Sequence, residues 1–149
     1  MRLKEVYTPE VVCCGGQTSA GEAARLMRHK HVGDLVVVDD PEDARTPLGV
    51  VTDRDLAIEV LANGLDPAVV TVLELMRTPV VIADENEDTS QVAERMREHG
   101  VRRIPVVNAR GSAVGIVTLD DLLAATISDA SRLLEVMDKG RDRERRARR

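Results

Sequence analysis

An internal repeat is the feature of this chain that most constrains its fold. The segment from Ala24 to Val38 recurs from Ala93 to Val107, with every position shifted by 69 residues. The segment 49–56 recurs as 115–122 with a shift of 66, so the second copy has a shorter loop. Such a repeat indicates one supersecondary unit used twice, in which each copy buries an apolar face that the other leaves exposed. Any cleft between the copies therefore comes in two versions.

The size and composition of the chain favour a single body with an aliphatic core. A repeat unit of roughly 65 to 70 residues forms only a marginal core by itself, so we expect the two copies of this 149-residue chain to fold together. Phe and Trp are absent and Tyr7 is the one aromatic residue. The core must therefore consist of Val, Leu, Ile, Met and Ala, and aromatic stacking cannot be the main grip on a base or sugar.

The charge and the apolar runs exclude several classes of protein. Residues 139–149 carry seven basic and two acidic groups, so residues 1–138 carry a net charge of −10, which argues against broad binding of a nucleic-acid backbone outside the tail. No apolar run approaches the roughly 18 residues of a membrane span, and the N-terminus lacks the apolar stretch of a signal peptide. Cys13 and Cys14 are adjacent and cannot form a disulfide framework. We expect a cytoplasmic protein without a membrane partner.

Each copy predicts the same order of elements, β-α-β-β-α. Strands are predicted at 11–13, 35–38 and 49–51 in the first copy, and at 80–82, 104–107 and 114–117 in the second. The first helix of each copy begins after a capping signal, Ser19 with Glu22 or Asp88 with Gln91. These helices are predicted to end near Gly33 and Gly100, and second helices follow at about 53–62 and 119–127.

The domain organisation follows from this order. We predict a first repeat at residues 1–68, a second at 69–130 and a C-terminal helix end with a basic tail at 131–149. Residues 65–74 link the copies. From about Lys139 onward the chain has no apolar periodicity and is typical of a frayed helix end or a disordered tail.

A Thr-x-x-Asp pattern stands at each junction between the last strand and the last helix. The first is Thr52 to Asp55, and the second is Thr118 to Asp121. A helix N-terminus suits a phosphate group, the threonine adds a hydroxyl, and the aspartate can accept hydrogen bonds from a ribose diol. The same residues also form an ordinary helix cap. Capping alone does not explain why the whole pattern occurs twice in the same element order.

These features resemble a pair of CBS domains, which together form a Bateman module. The resemblance rests on the repeated unit with the segments Val101 to Val107 and Gly115 to Leu122, and it covers about residues 6 to 128. It implies an α+β fold of two β-α-β-β-α repeats packed with pseudo-two-fold symmetry. It also implies a regulatory binding module rather than an enzyme, with adenine nucleotides or other adenosyl compounds held in two clefts between the repeats.

Carried over by position, the resemblance implies two sites. The first would contain Thr52, Arg54, Asp55, Val81, Val101, Arg102 and Arg103, and the second Thr118, Asp121, Val12, Val32 and Gly33. The arginines of the first site suit a phosphate chain, because charge-assisted contacts from Arg are strong. They could also be a solvent-exposed pair on a loop. The second site has Asp34 and Asp120 nearby, which would repel phosphate but not an uncharged or cationic ligand.

The resulting hypothesis is a sensor of AMP, ADP, ATP or S-adenosylmethionine that needs no cofactor. We expect a homodimer formed through helix faces and an unidentified regulated protein as partner. The helix faces carry Leu56, Leu61, Leu122 and Leu123. Two alternatives are a ligand-free dimeric interaction or stress module, and a nucleic-acid-associated protein that uses the Arg-rich tail. His29, His31 and His99 lack the convergent spacing of a zinc site, so no metal is expected.

Overall fold

Two three-stranded sheets with their helices form two equivalent halves in the computed structural model, which describes residues 1–148. A short 3-10 helix, Leu3–Glu5, begins the chain. The first half contains β1 (Cys13–Gly15), α1 (Ala20–Lys30), β2 (Asp34–Val38), β3 (Pro47–Thr52), α2 (Asp53–Asp55), the π-helical turns Leu56–Leu61 and α3 (Val72–Leu75). The second half contains β4 (Ala83–Asp84), α4 (Thr89–His99), β5 (Arg103–Val107), β6 (Ala113–Thr118) and α5 (Leu119–Ala147). The predicted α+β class with two β-α-β-β-α units is confirmed.

Each sheet has the same topology, but its first strand begins later than predicted. β1 runs parallel to β2, with Cys13 opposite Val36, and β2 runs antiparallel to β3. The second sheet repeats this arrangement, with Ala83 opposite Val106. The predicted strands at 11–13 and 80–82 therefore mostly precede the hydrogen-bonded ladder. Val11, Val12, Val80 and Val81 are partly buried, whereas Ile82 is 39% exposed. Only the Val12 carbonyl, which accepts the N–H of Val36 at 3.0 Å, is bonded to the neighbouring strand ahead of the ladder, because apolarity reports burial rather than ladder hydrogen bonds.

The predicted capping boxes are present, whereas the predicted end of α1 is wrong. The backbone N–H of Glu22 donates to Ser19 Oγ at 3.1 Å, and at the start of α4 the N–H of Ser90 donates to Asp88 Oδ1 at 3.0 Å. α4 ends at His99 with Gly100 in the left-handed conformation, as predicted. α1 ends at Lys30, and the left-handed residue is His31 (φ 55°) rather than Gly33.

Gly33 does not end α1, because the absence of a side chain at this position is needed for a different contact. A Cβ atom at Gly33 would lie 3.1 Å from the Asp53 carboxylate, so glycine permits the close approach of this loop to the start of α2. The carbonyl of Gly33 accepts the N–H of Asp53 at 3.0 Å, and the equivalent carbonyl of Arg102 accepts the N–H of Leu119 at 2.8 Å.

α5 is much longer than the predicted helix of residues 119–127. It continues to Ala147, through the region predicted to be a frayed end or a disordered tail. The added segment contains no proline and is rich in Leu, Ala, Glu, Lys and Arg, which favour helix, and Gly140 is its weakest position. Every residue from Ala130 to Arg148 is exposed, so this part of the helix makes little contact with the body.

The segments that lead into the two halves are exchanged between them. Leu3 is fully buried in the core of the second half with Val92 and Ile104. Its equivalent in the repeat, Val72, is fully buried in the core of the first half with Leu35. The predicted boundary between residues 68 and 69 therefore separates each leading segment from the core that it fills.

The two halves meet around a third cluster and an ion pair. Val36 and Val38 of β2 pack with Ala113 and Ile116 of β6, which joins the two sheets. Asp34 and Arg103, which are equivalent positions 69 residues apart, form a salt bridge between the first residues of β2 and β5. Contact between equivalent positions places this pair at the pseudo-two-fold axis.

None of the helices described within residues 1–148 combines the length and apolarity needed to cross a bilayer.

Candidate functional site

A cleft of about 300 Å³ lies between the two halves and contains every residue predicted for the first site. It is lined by Val50, Thr52, Asp53, Arg54, Asp55, Arg77, Pro79, Val80, Val81, Gly100, Val101, Arg102 and Arg103. The start of α2 provides one wall, and the segments that enter β4 and β5 provide the other. The repeat therefore brings together side chains that are distant in sequence.

Thr52 and Asp55 form a reciprocal cap at the start of α2. The N–H of Asp55 donates to Thr52 Oγ1 at 3.2 Å, and the N–H of Thr52 donates to Asp55 Oδ2 at 2.9 Å. Asp55 is 8 % exposed. The capping interpretation is thus correct, but it occupies one carboxylate oxygen. The other, Oδ1, lies 4.0 Å from Arg77 Nε and can accept a hydrogen bond from a ligand in the cleft.

Four arginines line the cleft and give it a positive wall. Arg54, Arg102 and Arg103 were predicted, whereas Arg77 was not. Arg77 follows α3, and the equivalent residue of the first copy is Thr8, so the repeat gives no signal for it. Because Arg103 is paired with Asp34 and Arg77 Nε lies 4.0 Å from Asp55 Oδ1, the charges of these two arginines are partly compensated. Arg54 and Arg102 therefore provide most of the positive field.

The remaining wall of the cleft is apolar. Val81 and Val101 are partly buried and pack against the core of the second half, which fixes their position. Pro79, Val80 and Val50 extend this surface. An apolar wall opposite a few placed polar groups is the usual composition of a small-molecule site.

The residues predicted for the second site have the same local structure as their counterparts in the first. Thr118 and Asp121 form the same cap, with N–H to oxygen distances of 2.9 and 3.1 Å. However, Asp121 lines a different groove of about 370 Å³ between α5 and the N-terminal segment. Val12 and Val32 pack against the core of the first half, as their equivalents Val81 and Val101 do in the second. Neither of these two clefts contains Thr118, Val12, Val32 or Gly33, so a second site stays a prediction.

Within residues 1–148 no group of three or more His, Cys, Asp or Glu side chains is placed to hold a metal ion.

Burial raises the pKa of the Cys14 thiol to about 11, which keeps it protonated at neutral pH. Arg45 Nη2 lies 3.2 Å from Cys13 Sγ. The two adjacent cysteines therefore have different surroundings.

Comparison with known proteins identifies the class. The family model of the CBS domain matches residues 3–62 and 72–128. The chain belongs to the CBS domain family and carries two repeats, as the sequence predicted. It is 35% identical over 119 residues to Hypoxic response protein 1 of Mycobacterium tuberculosis, which covers 80% of each chain. It is also 33% identical to an uncharacterized protein of Methanopyrus kandleri, of whose length it spans only 59%.

Solved structures share this fold. The crystal structure of Hypoxic Response Protein I with two coordinated zinc ions has a TM-score of 0.71 and 34% identity, covering 84% of this chain and 98% of that one. A Pyrobaculum aerophilum CBS domain protein complexed with AMP has a TM-score of 0.71 and 26% identity, with coverages of 81% and 89%. The CBS domain pair of protein MJ0100, in complex with 5-methylthioadenosine and S-adenosyl-L-methionine, has a TM-score of 0.73 and 25% identity, with coverages of 87% and 98%.

Proposed function

We propose that this protein is a regulatory module that binds an adenine nucleotide in the cleft between its two CBS repeats. The observation that carries the proposal is the convergence of the Thr52–Asp55 cap, the arginines and the valine wall on one cavity of about 300 Å³. The AMP complex and the adenosyl complexes of structural relatives support the adenosyl part of the ligand. The role is binding rather than catalysis.

The chemistry of the walls indicates how the ligand lies. Asp55 Oδ1 would accept from the ribose diol, and the adenine ring would rest on Val81 and Val101. Arg54 and Arg102 would contact the phosphate groups. Because charge-assisted hydrogen bonds from Arg favour an anion, AMP, ADP and ATP fit this cleft better than cationic S-adenosylmethionine. No cofactor is required.

A comparison of two equivalent aspartates tests the proposal. Asp55→Ala removes the ribose acceptor from the arginine-lined cleft, and we expect it to weaken AMP binding by on the order of 1.5 to 3 kcal/mol. Asp121→Ala removes the same cap from the other repeat and serves as the matched control. We expect a much smaller loss for that variant. Isothermal titration calorimetry measures both affinities, and thermal unfolding of each variant reports the shared cost of the lost cap.

Equal losses in the two variants would contradict the assignment to this cleft. If the wild-type chain binds no adenosyl compound, the alternative of a ligand-free interaction module is favoured. The composition makes a second check simple. With one Tyr and no Trp the protein absorbs weakly at 280 nm, so a co-purified nucleotide would dominate the ultraviolet spectrum. Mass spectrometry of the denatured supernatant would identify it.

The proposal places the protein in the cytoplasm, where it would transmit ligand occupancy to a regulated protein. The exposed leucines of the helix faces support a homodimer as the working form. The Arg-rich end of α5 does not line the cleft described above, so the proposed binding does not depend on it.

A further inference from the structure

The second half of α5 extends from the body with no covering surface. From Ala130 to Ala147 the helix spans about 27 Å at 1.5 Å per residue. All of these residues are exposed. An isolated helix of this length is only marginally stable in water. A partner that covers one face would stabilise it.

One face of α5 carries an apolar stripe with the spacing of a coiled-coil seam. The stripe consists of Leu123, Ile127, Ala130, Leu134 and Met137, which are separated by four, three, four and three residues. This alternation places them on one side of the helix, as in the a and d positions of a heptad repeat. Its four large members are between 54% and 61% exposed. The stripe begins on the body and continues along the extended part of the helix.

The charges of α5 divide sharply along its length. The part from Leu119 to Asp138 holds five carboxylates and one arginine. Residues 139–148 hold six basic and two acidic residues. Two parallel copies would bring their basic ends together, which is unfavourable. Two antiparallel copies centred near Ala130 would bring Lys139 and Arg141 of each helix beside Asp120 and Asp121 of the other.

We propose that α5 pairs with α5 of a second copy of this chain in an antiparallel coiled coil centred near Ala130. The small side chain of Ala130 allows the two helices to approach closely at the centre. The leucines, Ile127 and Met137 fill the seam on either side. Pairing of the extended helices is independent of nucleotide binding, because the stripe does not line the cleft between the repeats.

Spin-label distances test both the pairing and its direction. In a Cys13→Ala, Cys14→Ala background, labels are attached to the variants Ser131→Cys and Ala147→Cys. An antiparallel pair centred near Ala130 gives a short distance, below about 20 Å, at position 131, and a long one, about 50 Å, at position 147. Two short distances would show a parallel pair and overturn the direction. No defined distance at either position would overturn the pairing.

A matched pair of substitutions tests the stripe itself. Leu134→Glu places a charge in the seam, and we expect it to abolish the short distance at position 131 and to lower the helix signal in far-ultraviolet circular dichroism. Val136→Glu is the control, since Val136 is 67% exposed, lies two residues away and is off the stripe. We expect it to retain both signals. If both variants lose the short distance, or neither does, the proposed seam is wrong.

Discussion

Two glycines at equivalent positions of the repeat, Gly49 and Gly115, allow the exchanged leading segments to pack. A Cβ atom at Gly49 would lie 2.7 Å from Met76 Sδ. A Cβ atom at Gly115 would lie 2.2 Å from the Tyr7 ring and 2.5 Å from the backbone oxygen of Thr8. The flexible methionine can move, whereas the Thr8 backbone is hydrogen-bonded in both directions to Ile116. Alanine is therefore expected to be tolerated better at Gly49 than at Gly115.

We expect Gly115→Ala to destabilise the protein by about 3 kcal/mol and Gly49→Ala by about 1 kcal/mol, because overpacking against fixed backbone costs more than displacing a side chain. Urea denaturation of the two variants measures the difference. Gly140→Ala is the control, since nothing lies within 4 Å of its added methyl group and alanine favours helix. A larger cost at Gly49 than at Gly115 would contradict this account.

The sequence predicted the cap residues that the repeat duplicates and, through the family resemblance, three arginines that it does not duplicate, but it missed Arg77. Thr52 and Asp55 have copies in Thr118 and Asp121, and their joint placement in the first cleft was predicted. Arg77 has Thr8 as its counterpart and gave no signal. The pairing of Arg103 with Asp34 was also missed, because an ion pair across a symmetry axis is visible only once the two halves are packed.

At the scale of elements, the caps of α1 and α4 occupy equivalent positions but differ in charge. Ser19 is neutral at every pH, whereas Asp88 ionises. Hydrogen bonds from the N–H and the hydroxyl of Ser90 hold the pKa of Asp88 at about 2, well below its usual range. The N-cap side chain of α4 is therefore titratable, whereas that of α1 is not.

This difference predicts an acid-sensitive contribution from Asp88. A carboxylate whose pKa is lowered on folding stabilises the folded state above its unfolded pKa, near 4, and that contribution is lost as pH falls towards 2. We expect Asp88→Asn to be less stable than wild type at pH 7 and to converge with it at about pH 2. Thermal unfolding across this range checks the prediction.

Ser19→Asn is the matched control, because it changes an N-cap side chain that does not titrate. We expect its stability difference from wild type to show little change between pH 7 and pH 2. A constant difference for Asp88→Asn over the same range would show that the Asp88 cap is not linked to protonation.

Element type and order were predictable because periodicity and capping signals are local. The boundaries that depend on tertiary contacts were not. The first strand of each sheet is defined by its pairing with β2 or β5, which the apolar runs at 11–13 and 80–82 do not report. The turns of α5 from Lys139 onward were missed because they lack the apolar face from which a helix was inferred.

Fewer leucines are exposed for a dimer contact than the sequence predicted. Leu122 is only 6% exposed and belongs to the core of the second half, so it cannot contribute as predicted. Leu56 is partly buried against the core of the first half. Leu61 and Leu123 remain 80% and 56% exposed. Leu61 is the repeat equivalent of Ile127, so the exposed apolar surface spans both halves.

We expect a homodimer at micromolar concentration, and Leu61→Glu to raise its dissociation constant at least tenfold, which corresponds to about 1.4 kcal/mol. The reason is that a charge in a buried apolar contact must be desolvated. Light scattering over a dilution series measures the change. Val69→Glu is the control, since Val69 is 72% exposed but lies in the linker. A monomer at all concentrations, or equal effects of the two variants, would contradict this prediction.

The exchange of leading segments sets an order of events during synthesis on the ribosome. The first half can close its core once residues up to Met76 have emerged, because Val72 completes that core. The second half must wait for β6 and the start of α5, and it is then completed by Leu3, which is made before the whole of the first half. A segment that is made before the first half is thus among the last to be packed.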